Sequence, residues 1–92
     1  MEFEWDEKKA AQNLEKHGVS FEEVVRFDFR NAHTAKDSRN EYGELRFQTL
    51  GAIEGRIHLL VYTRRGSRYR VISLRKANSR ERRIYERART DT

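Results

Sequence analysis

The order of hydrophobic and polar positions predicts helices at both ends of the chain and strands between them. Phe3-Glu4-Trp5 alternates apolar and polar side chains, which indicates a first strand or a strand stub. Asp6 follows at a helix N-cap position and Gly18 at a C-cap position, so Glu7 to His17 is predicted to be a short helix. Its predicted small-residue face consists of Ala10, Ala11 and Leu14.

A second helix is predicted just after the first. Ser20 and Glu23 have the spacing of a capping box, and Val19 and Val24 have that of a hydrophobic staple. This helix is expected to end at about Phe29. The side chains expected to face the core are Phe21, Val24 and Val25.

Three alternating segments predict an antiparallel β-meander in the second half of the chain. The polar stretch from Arg30 to Glu44 is predicted to be a loop, with a weak strand around Ala32–Lys36. The strands are then Leu45–Leu50, Arg56–Arg64 and Arg68–Arg75. Short turns that contain glycine separate them, and such turns join antiparallel neighbours.

A last helix is predicted from about Arg80 to Arg89, with Asn78 or Ser79 as its N-cap. It is expected to dock weakly, because its only apolar side chains are Ile84, Tyr85 and Ala88. The predicted fold class is α+β, in one domain spanning residues 1–92. It has two N-terminal helices, an antiparallel meander of three to four strands and a C-terminal helix in two layers.

Composition narrows the range of functions. The chain of 92 residues has no cysteine, which excludes a disulfide scaffold, an iron–sulfur site and a cysteine zinc finger. No apolar run approaches the roughly 20 residues of a membrane span, so no membrane partner is expected. Met1-Glu2-Phe3-Glu4 lacks the basic start and apolar stretch of a signal peptide. We therefore expect a cytoplasmic protein.

Positive charge is concentrated in the second half. Residues 1–51 contain 8 Lys/Arg and 11 Asp/Glu, a net charge of −3, whereas residues 52–92 contain 12 Lys/Arg and 4 Asp/Glu, a net charge of +8. Most of this excess is arginine, which binds phosphate through two parallel hydrogen bonds and stacks on bases. The pattern indicates a nucleic-acid surface, and the alternative is a solvated face that keeps the protein soluble.

The last predicted hairpin carries the candidate site. If three or five residues connect its strands, Arg64 lies opposite Arg68 and Tyr62 lies opposite Arg70, all on one face. Another register would place Arg70 opposite Val61. Arginines directly opposite each other repel, so carboxylates or a bound phosphate backbone should compensate them. Alternatively, the arginine stems only cover apolar surface.

The histidines do not have the spacing of metal ligands. His17, His33 and His58 form no His-x-x-x-His pair, so no metal and no cofactor is expected. His17 is interpreted first as a helix C-terminal residue, where a cation suits the helix dipole. His58 is a candidate proton carrier or, equally, a half-buried strand residue.

The chain resembles the BrnT toxins, the ribonuclease halves of bacterial type II toxin–antitoxin pairs. The first part of the resemblance is Phe3-Glu4-Trp5-Asp6-x-x-Lys9 with Asn13-x-x-Lys16-His17-Gly18-Val19-Ser20-Phe21-Glu22-Glu23. The second comprises Arg46, Gly51, Tyr62-Thr63-Arg64, Arg70-Val71-Ile72-Ser73-Leu74-Arg75-Lys76-Ala77 and Arg80-Glu81-Arg82-Arg83-x-Tyr85-Glu86. The match runs from Phe3 to Glu86.

The resemblance implies a RelE-like fold and an endoribonuclease that stops translation. It also implies a BrnA-type antitoxin that binds operator DNA through a ribbon-helix-helix element, so the toxin meets DNA only through the antitoxin. RelE-like enzymes place arginines on the sheet and a tyrosine near the C-terminus. We expect the catalytic residues to be Arg64, Arg70, Tyr85 and His58, of which Tyr85 matches that tyrosine and His58 is in reach of the same sheet face. The residues expected to bind RNA are Arg68, Arg75, Arg82, Arg83 and Tyr62.

Metal-free cleavage of RNA uses the ribose 2′-OH as the nucleophile, and it needs a base, an acid and cations around the phosphate. Arginine suits the cation role, because its pKa above about 12 prevents it from acting as a base. Two other classes of function remain: a non-catalytic nucleic-acid-binding module and a protein-interaction domain with a basic docking surface. If the sheet face does not carry the chemistry, Lys9, His17 and the first helix are the next candidates.

Overall fold

In the computed structural model, which describes residues 1–37 and 43–90, a five-stranded sheet has the order β1-β5-β4-β3-β2. The strands are β1 (Glu2–Glu4), β2 (His33–Asp37), β3 (Arg46–Ile53), β4 (Arg56–Arg65) and β5 (Arg68–Lys76). The helices are α1 (Glu7–His17), a short 3₁₀ helix (Phe21–Arg26) and α2 (Ser79–Thr90). Residues 38–42 of the predicted loop lie outside the described residues.

The predicted fold class is wrong in its layout, although the β3-β4-β5 meander inside it is confirmed. The sheet is mixed, because β1 pairs with β5 in parallel. The weak strand around residues 32–36 is a full edge strand, β2, antiparallel to β3. Only one of the two predicted N-terminal helices is an α-helix; the other is the short 3₁₀ helix, which ends at Arg26 and not near Phe29.

The helices cover both faces of the sheet, so the domain has three layers and not the predicted two. On one face, Phe21 and Val24 of the short helix pack in a core with Leu60 and Leu74. On the other face, Tyr85 of α2 packs with Leu50, Leu59 and Ala77. We call these the short-helix face and the α2 face. Adjacent residues of β4 therefore point to opposite cores, as the pleat requires.

The helix ends follow the local sequence signals. Asp6 accepts a hydrogen bond from the Lys9 backbone N–H at 3.2 Å, and Gly18 ends α1 in the left-handed conformation at φ 70°. Ser20 accepts from the Glu22 N–H at 3.2 Å, which confirms the predicted second helix start. The Glu23 carboxylate does not complete a capping box there, because it pairs with Arg26.

The predicted buried faces of the first two helices are partly wrong. Leu14 is 51% exposed and Val25 is 75% exposed. The buried residue of α1 is Asn13. The tighter turn of a 3₁₀ helix rotates side chains relative to an α-helix, which puts Phe21 and Val24, three residues apart, on its buried side and leaves Val25 outside.

Gly51 in β3 fixes how the short helix joins the sheet. A Cβ atom at Gly51 would lie 2.6 Å from the Phe27 ring, so only glycine lets that ring lie on the strand. Phe27 also forms an isolated bridge with Ile53. The residue after the short helix is thus held on β3, which closes the core on the short-helix face.

Candidate functional site

The strand register separates residues that were predicted to share one face. Arg64 pairs with Tyr69 and Arg65 pairs with Arg68, so neither predicted register of the hairpin is observed. The register also shifts between Val61 and Tyr62, where β5 has one extra residue. The two-residue turn thus places Arg64 on one face and Arg70 on the other, and the bulge brings Ser73 and Arg75 onto the face of Arg70. The predicted convergence of Tyr62, Arg64, Arg68 and Arg70 is wrong.

A row of polar side chains lies along β5 on the α2 face. Arg68, Arg70, Ser73 and Arg75 pair with alternate residues of β4, and alternate residues share a face. Their partners are Arg65, Thr63, Val61 and Leu59, respectively. Leu59 belongs to the core beneath α2, which identifies the face. Neighbours in this row are two residues, or about 7 Å, apart along the strand, except Arg70 and Ser73, which are three residues apart across the bulge.

Carboxylates of β1 neutralise the first two arginines of this row. Arg70 Nη1 donates to Glu4 Oε2 at 2.8 Å, and Arg68 lies 3.3 Å from Glu2 and 3.7 Å from Glu4. The Arg70 hydrogen bond lowers the pKa of Glu4, and the charges of Arg70 and Arg68 act in the same direction. The sequence predicted that nearby carboxylates or a bound phosphate backbone would compensate the arginine charges. Carboxylates do so in this structure.

Arg75 is held at the start of α2. Its two terminal nitrogens donate to the two Glu81 carboxylate oxygens, each at 2.8 Å. Glu81 also accepts from the Asn78 N–H at 2.9 Å while Asn78 accepts from the Glu81 N–H at 2.9 Å, a reciprocal capping box. The Arg75 hydrogen bond is the main reason that the pKa of Glu81 is lowered. Glu81 therefore joins α2 to β5.

The α2 residues of the predicted site have different environments. Tyr85 is 5% exposed, and its hydroxyl accepts a hydrogen bond from Arg89 at 2.9 Å. Arg82 donates to the Ala77 carbonyl at 3.1 Å and to the Ser79 hydroxyl at 3.2 Å. Arg83 is exposed and, with Arg80 and Arg87, lines a groove of about 490 Å³ beside His33 and Ile84. Within the described ranges, none of these three groove arginines forms a salt bridge.

The remaining predicted residues lie on the short-helix face. Tyr62 is 8% exposed and stacks between Phe47 and Tyr69, with ring centroids at 5.4 and 5.1 Å. The Arg64 guanidinium lies 4.7 Å from the centroid of the Tyr69 ring. His58 is buried, and its Nδ1–H donates to the Arg56 carbonyl at 2.8 Å. Tyr62 and His58 are thus packed inside the domain.

A second polar cluster lies where α1 meets the bulge of β5. A cavity of about 260 Å³ is lined by Lys9, Gln12, Asn13, Lys16, His17, Ile72 and Ser73. We call it the edge cavity. Desolvation lowers the pKa of His17, and the positive charges of Lys16 and Arg75 lower it further. Neutral imidazole is therefore the favoured form there at neutral pH.

Sequence reasoning assigned no role to Asn13, Lys16 or Ser73. Asn13 and Lys16 occur in the first part of the family resemblance and Ser73 in the second, so both segments of the signature meet at the edge cavity. The presence of these residues in both signature segments was the sequence signal for this site. The signal could not locate the site, because the sequence does not show that α1 lies beside β5.

Residues 1–37 and 43–90 contain no helix that is long and apolar enough to span a membrane. They also contain no group of three or more histidine, aspartate or glutamate residues arranged to hold a metal ion.

No curated protein matches the chain. A family model described as the ribonuclease toxin BrnT of type II toxin–antitoxin systems matches residues 5–81. The match covers all elements from α1 to the start of α2, and the chain therefore belongs to the BrnT family of ribonuclease toxins.

Proposed function

We propose that this BrnT-family toxin is a metal-independent endoribonuclease that stops translation by cutting RNA. Its family has RNA as substrate and an antitoxin as partner. The proposed antitoxin is of the BrnA type, with a ribbon-helix-helix element that binds operator DNA. The toxin itself then meets DNA only through that partner.

The observation that carries the proposal is the row of arginines on the α2 face. Arg68, Arg70 and Arg75 follow one another along β5 on the same side. Planar guanidinium groups bind phosphate oxygens through paired hydrogen bonds, which suits a phosphodiester backbone lying along the strand. Arg82 and Arg83 extend the positive charge onto α2. This surface is proposed to hold the RNA.

Arg70 is the proposed transition-state cation. Its side chain is 30% exposed, and Glu4 fixes the guanidinium from β1. When the 2′-oxygen attacks the phosphorus, charge grows on the non-bridging oxygens, and a prearranged guanidinium stabilises that charge. Glu4 is a competing anion for Arg70, so binding of RNA exchanges a carboxylate for a phosphate.

Tyr85 is proposed to act from α2 on the same face. Its ring anchors α2 to Leu50 and Leu59, and its hydroxyl accepts a hydrogen bond from Arg89. Tyr85→Phe keeps the anchor and removes only the hydroxyl. A loss of cleavage in the folded Tyr85→Phe protein separates a catalytic role of the hydroxyl from the packing role of the ring.

The test uses the purified full chain and an unlabelled cellular RNA pool. We expect cleavage that persists in EDTA and leaves 2′,3′-cyclic phosphate ends, and RNA affinity that falls steeply between low and physiological salt because counterions are released. Cleavage that requires a divalent ion would overturn metal independence. RNA binding without any cleavage would identify a non-catalytic binding module.

The partner and the cellular effect need a second test. Induction of the chain alone in a bacterium should stop growth and protein synthesis, and co-expression of a neighbouring small gene with a ribbon-helix-helix pattern should restore both. Continued protein synthesis during RNA loss would contradict the proposed block of translation. Rescue by a neighbouring gene without that pattern would contradict the proposed antitoxin type.

A further inference from the structure

The edge cavity exists because β1 is short. β1 pairs with residues 68–70 of β5 only, and within the described residues no other strand pairs with that edge. Four residues after Arg70, Asn13 of α1 takes the place of a strand at Leu74. Its amide donates to the Leu74 carbonyl at 2.7 Å and its oxygen accepts the Leu74 N–H at 3.2 Å. The bulge lies between these two anchors.

Cationic side chains of α1 surround this opening. Lys9, Asn13 and Lys16 are spaced by four and three residues, so they lie on one face of the helix. All three line the cavity together with His17 and Ser73. Within the parts of the chain that the structure describes, neither lysine forms a salt bridge. The cavity therefore joins an imidazole, a hydroxyl and two ammonium groups without a neutralising carboxylate among its lining residues.

The cavity lies beside the proposed RNA surface. Ser73 belongs to the row on the α2 face, between Arg70 and Arg75. A phosphodiester backbone that follows this row along β5 passes the mouth of the cavity at Ser73. Of the residues in the row, Ser73 alone has a side chain without charge, and the cations next to it come from α1.

We propose that the edge cavity receives the scissile phosphodiester of RNA and that His17 is the base for its 2′-OH. This inference rests on the proposed ribonuclease function and places the transfer of the 2′-OH proton at His17. Lys9, Lys16 and Arg70 bind its phosphate oxygens, and Arg75 holds the adjoining backbone. The Ser73 hydroxyl, which donates to Asn13 Oδ1 at 3.5 Å in the structure, turns to donate to a ribose or phosphate oxygen.

The step balances without a metal. The proton of the 2′-OH passes to the imidazole of His17, the 2′-oxygen forms a bond to phosphorus, and the bond from phosphorus to the 5′-oxygen breaks. The 5′-oxygen takes a proton from Lys9 or Lys16. Water then carries the imidazolium proton back to that amine. The products are a 2′,3′-cyclic phosphate and a 5′-hydroxyl end.

The charged groups around His17 suit this role. Lys16 is its neighbour in α1, the charge of Arg75 on β5 acts on it, and Lys9, about two turns earlier in α1, lines the same cavity. Desolvation together with the Lys16 and Arg75 charges holds the pKa of His17 below its ordinary 6.5. The base is therefore unprotonated at neutral pH, and cleavage should fall on the acidic side when the imidazole is protonated.

The first experiment measures cleavage of RNA by His17→Gln across pH. We expect a loss of about 10²-fold or more at neutral pH, with disappearance of the acidic limb seen in the parent protein. Lys16→Gln should weaken RNA binding and lower cleavage. Lys8→Gln, which removes an exposed lysine of the same helix outside the cavity, should do neither. Thermal melts show whether each variant is folded.

The second experiment needs no variant and no activity. The imidazole of His17 is titrated by NMR with and without a 2′-O-methyl RNA dinucleotide, which binds but cannot be cut. We expect its titration midpoint to rise, because the bound phosphate favours the imidazolium.

The outcomes separate the inference from the proposed function. If the parent protein does not cut RNA, the proposed ribonuclease mechanism fails. If the parent cuts RNA, and folded His17→Gln cuts at the same rate with the same pH profile, only the edge-cavity assignment fails. An unchanged His17 midpoint at saturating dinucleotide overturns phosphate binding in this cavity.

Discussion

The α2 face and the edge cavity both carry positive charge beside β5, but their neighbours differ. On the α2 face, Arg68 and Arg70 meet the carboxylates of Glu2 and Glu4, and Arg75 meets Glu81. At the edge cavity, Lys9 and Lys16 line a space that also holds His17. The first region is a set of ion pairs with fixed geometry. The second is a set of cations with a base among them.

The difference shows why a count of basic residues does not locate a catalytic site. Arginines paired with carboxylates have a fixed orientation, which suits binding of RNA and stabilisation of negative charge. Proton transfer needs instead a group whose pKa lies near the working pH. In the arginine-rich half the one histidine is His58, and it is buried. His17 comes from the acidic half.

The largest expected effect distinguishes an arginine on the α2 face of the sheet, Arg70, from one on the short-helix face, Arg64. Arg70→Ala should lower cleavage by about 10²–10³-fold with a smaller loss of RNA affinity, because its charge matters most in the transition state. Arg70→Lys should be nearly as damaging, since lysine lacks the planar fork. Arg64→Ala should cost less than about 10-fold, because Arg64 stacks on Tyr69 on the other face. Cleavage rate and RNA affinity are measured on each folded variant.

Equal losses in Arg64→Ala and Arg70→Ala would contradict the division of the sheet into a catalytic and a packing face. Parental rates in both would remove the arginine row from the catalytic mechanism. The edge cavity alone would then remain.

The next largest effect concerns the anchor of the edge cavity. Asn13→Ala should lower the free energy of unfolding by about 2–3 kcal/mol, because the buried backbone groups of Leu74 and the Val19 carbonyl lose their partner. Gln12→Ala, a change at the adjacent exposed residue, should cost less than about 0.5 kcal/mol. Urea unfolding of both variants measures the difference. If the two variants unfold at the same urea concentration, Asn13 is not the anchor of the β5 edge.

The smallest effect tests the ion pair that joins α2 to β5. Glu81 has a lowered pKa in the folded protein, so its contribution to stability is present above its ordinary pKa of 4.5 and is lost as pH falls through the folded value. Glu81→Gln should therefore reduce the free energy of unfolding by about 1 kcal/mol at pH 7. The difference from the parent protein should vanish in acid. A difference that is the same at pH 7 and pH 3 would show that ionisation of Glu81 does not stabilise the fold.

Local signals in the sequence predicted helix ends better than sheet architecture. Asp6, Gly18 and Ser20 have the predicted capping roles, because a cap depends only on residues within one turn. The three central strands also lie close to their predicted bounds. β1 was expected only as a strand or stub, since three residues carry no information about a parallel partner 66 positions away.

The candidate site shows the same limit. The resemblance of the sequence motifs predicted a BrnT-family ribonuclease toxin, which the family match confirms. The assignment of residues to faces could not follow, because one extra residue in β5 and a one-residue change of register move side chains to the opposite face. Whether Arg70 met Arg64 or Glu4 depended on that register.

The sequence by itself determined the caps, the central strands, the basic half of the chain and its family. The tertiary structure decided which charges are neutralised and which surround a base. Glu4 and Arg70, Arg75 and Glu81, and Asn13 and Leu74 meet only after β1, α1 and α2 have packed on the sheet. These contacts depend on a bulge and on the length of β1, and both are set by packing around residues distant in the chain.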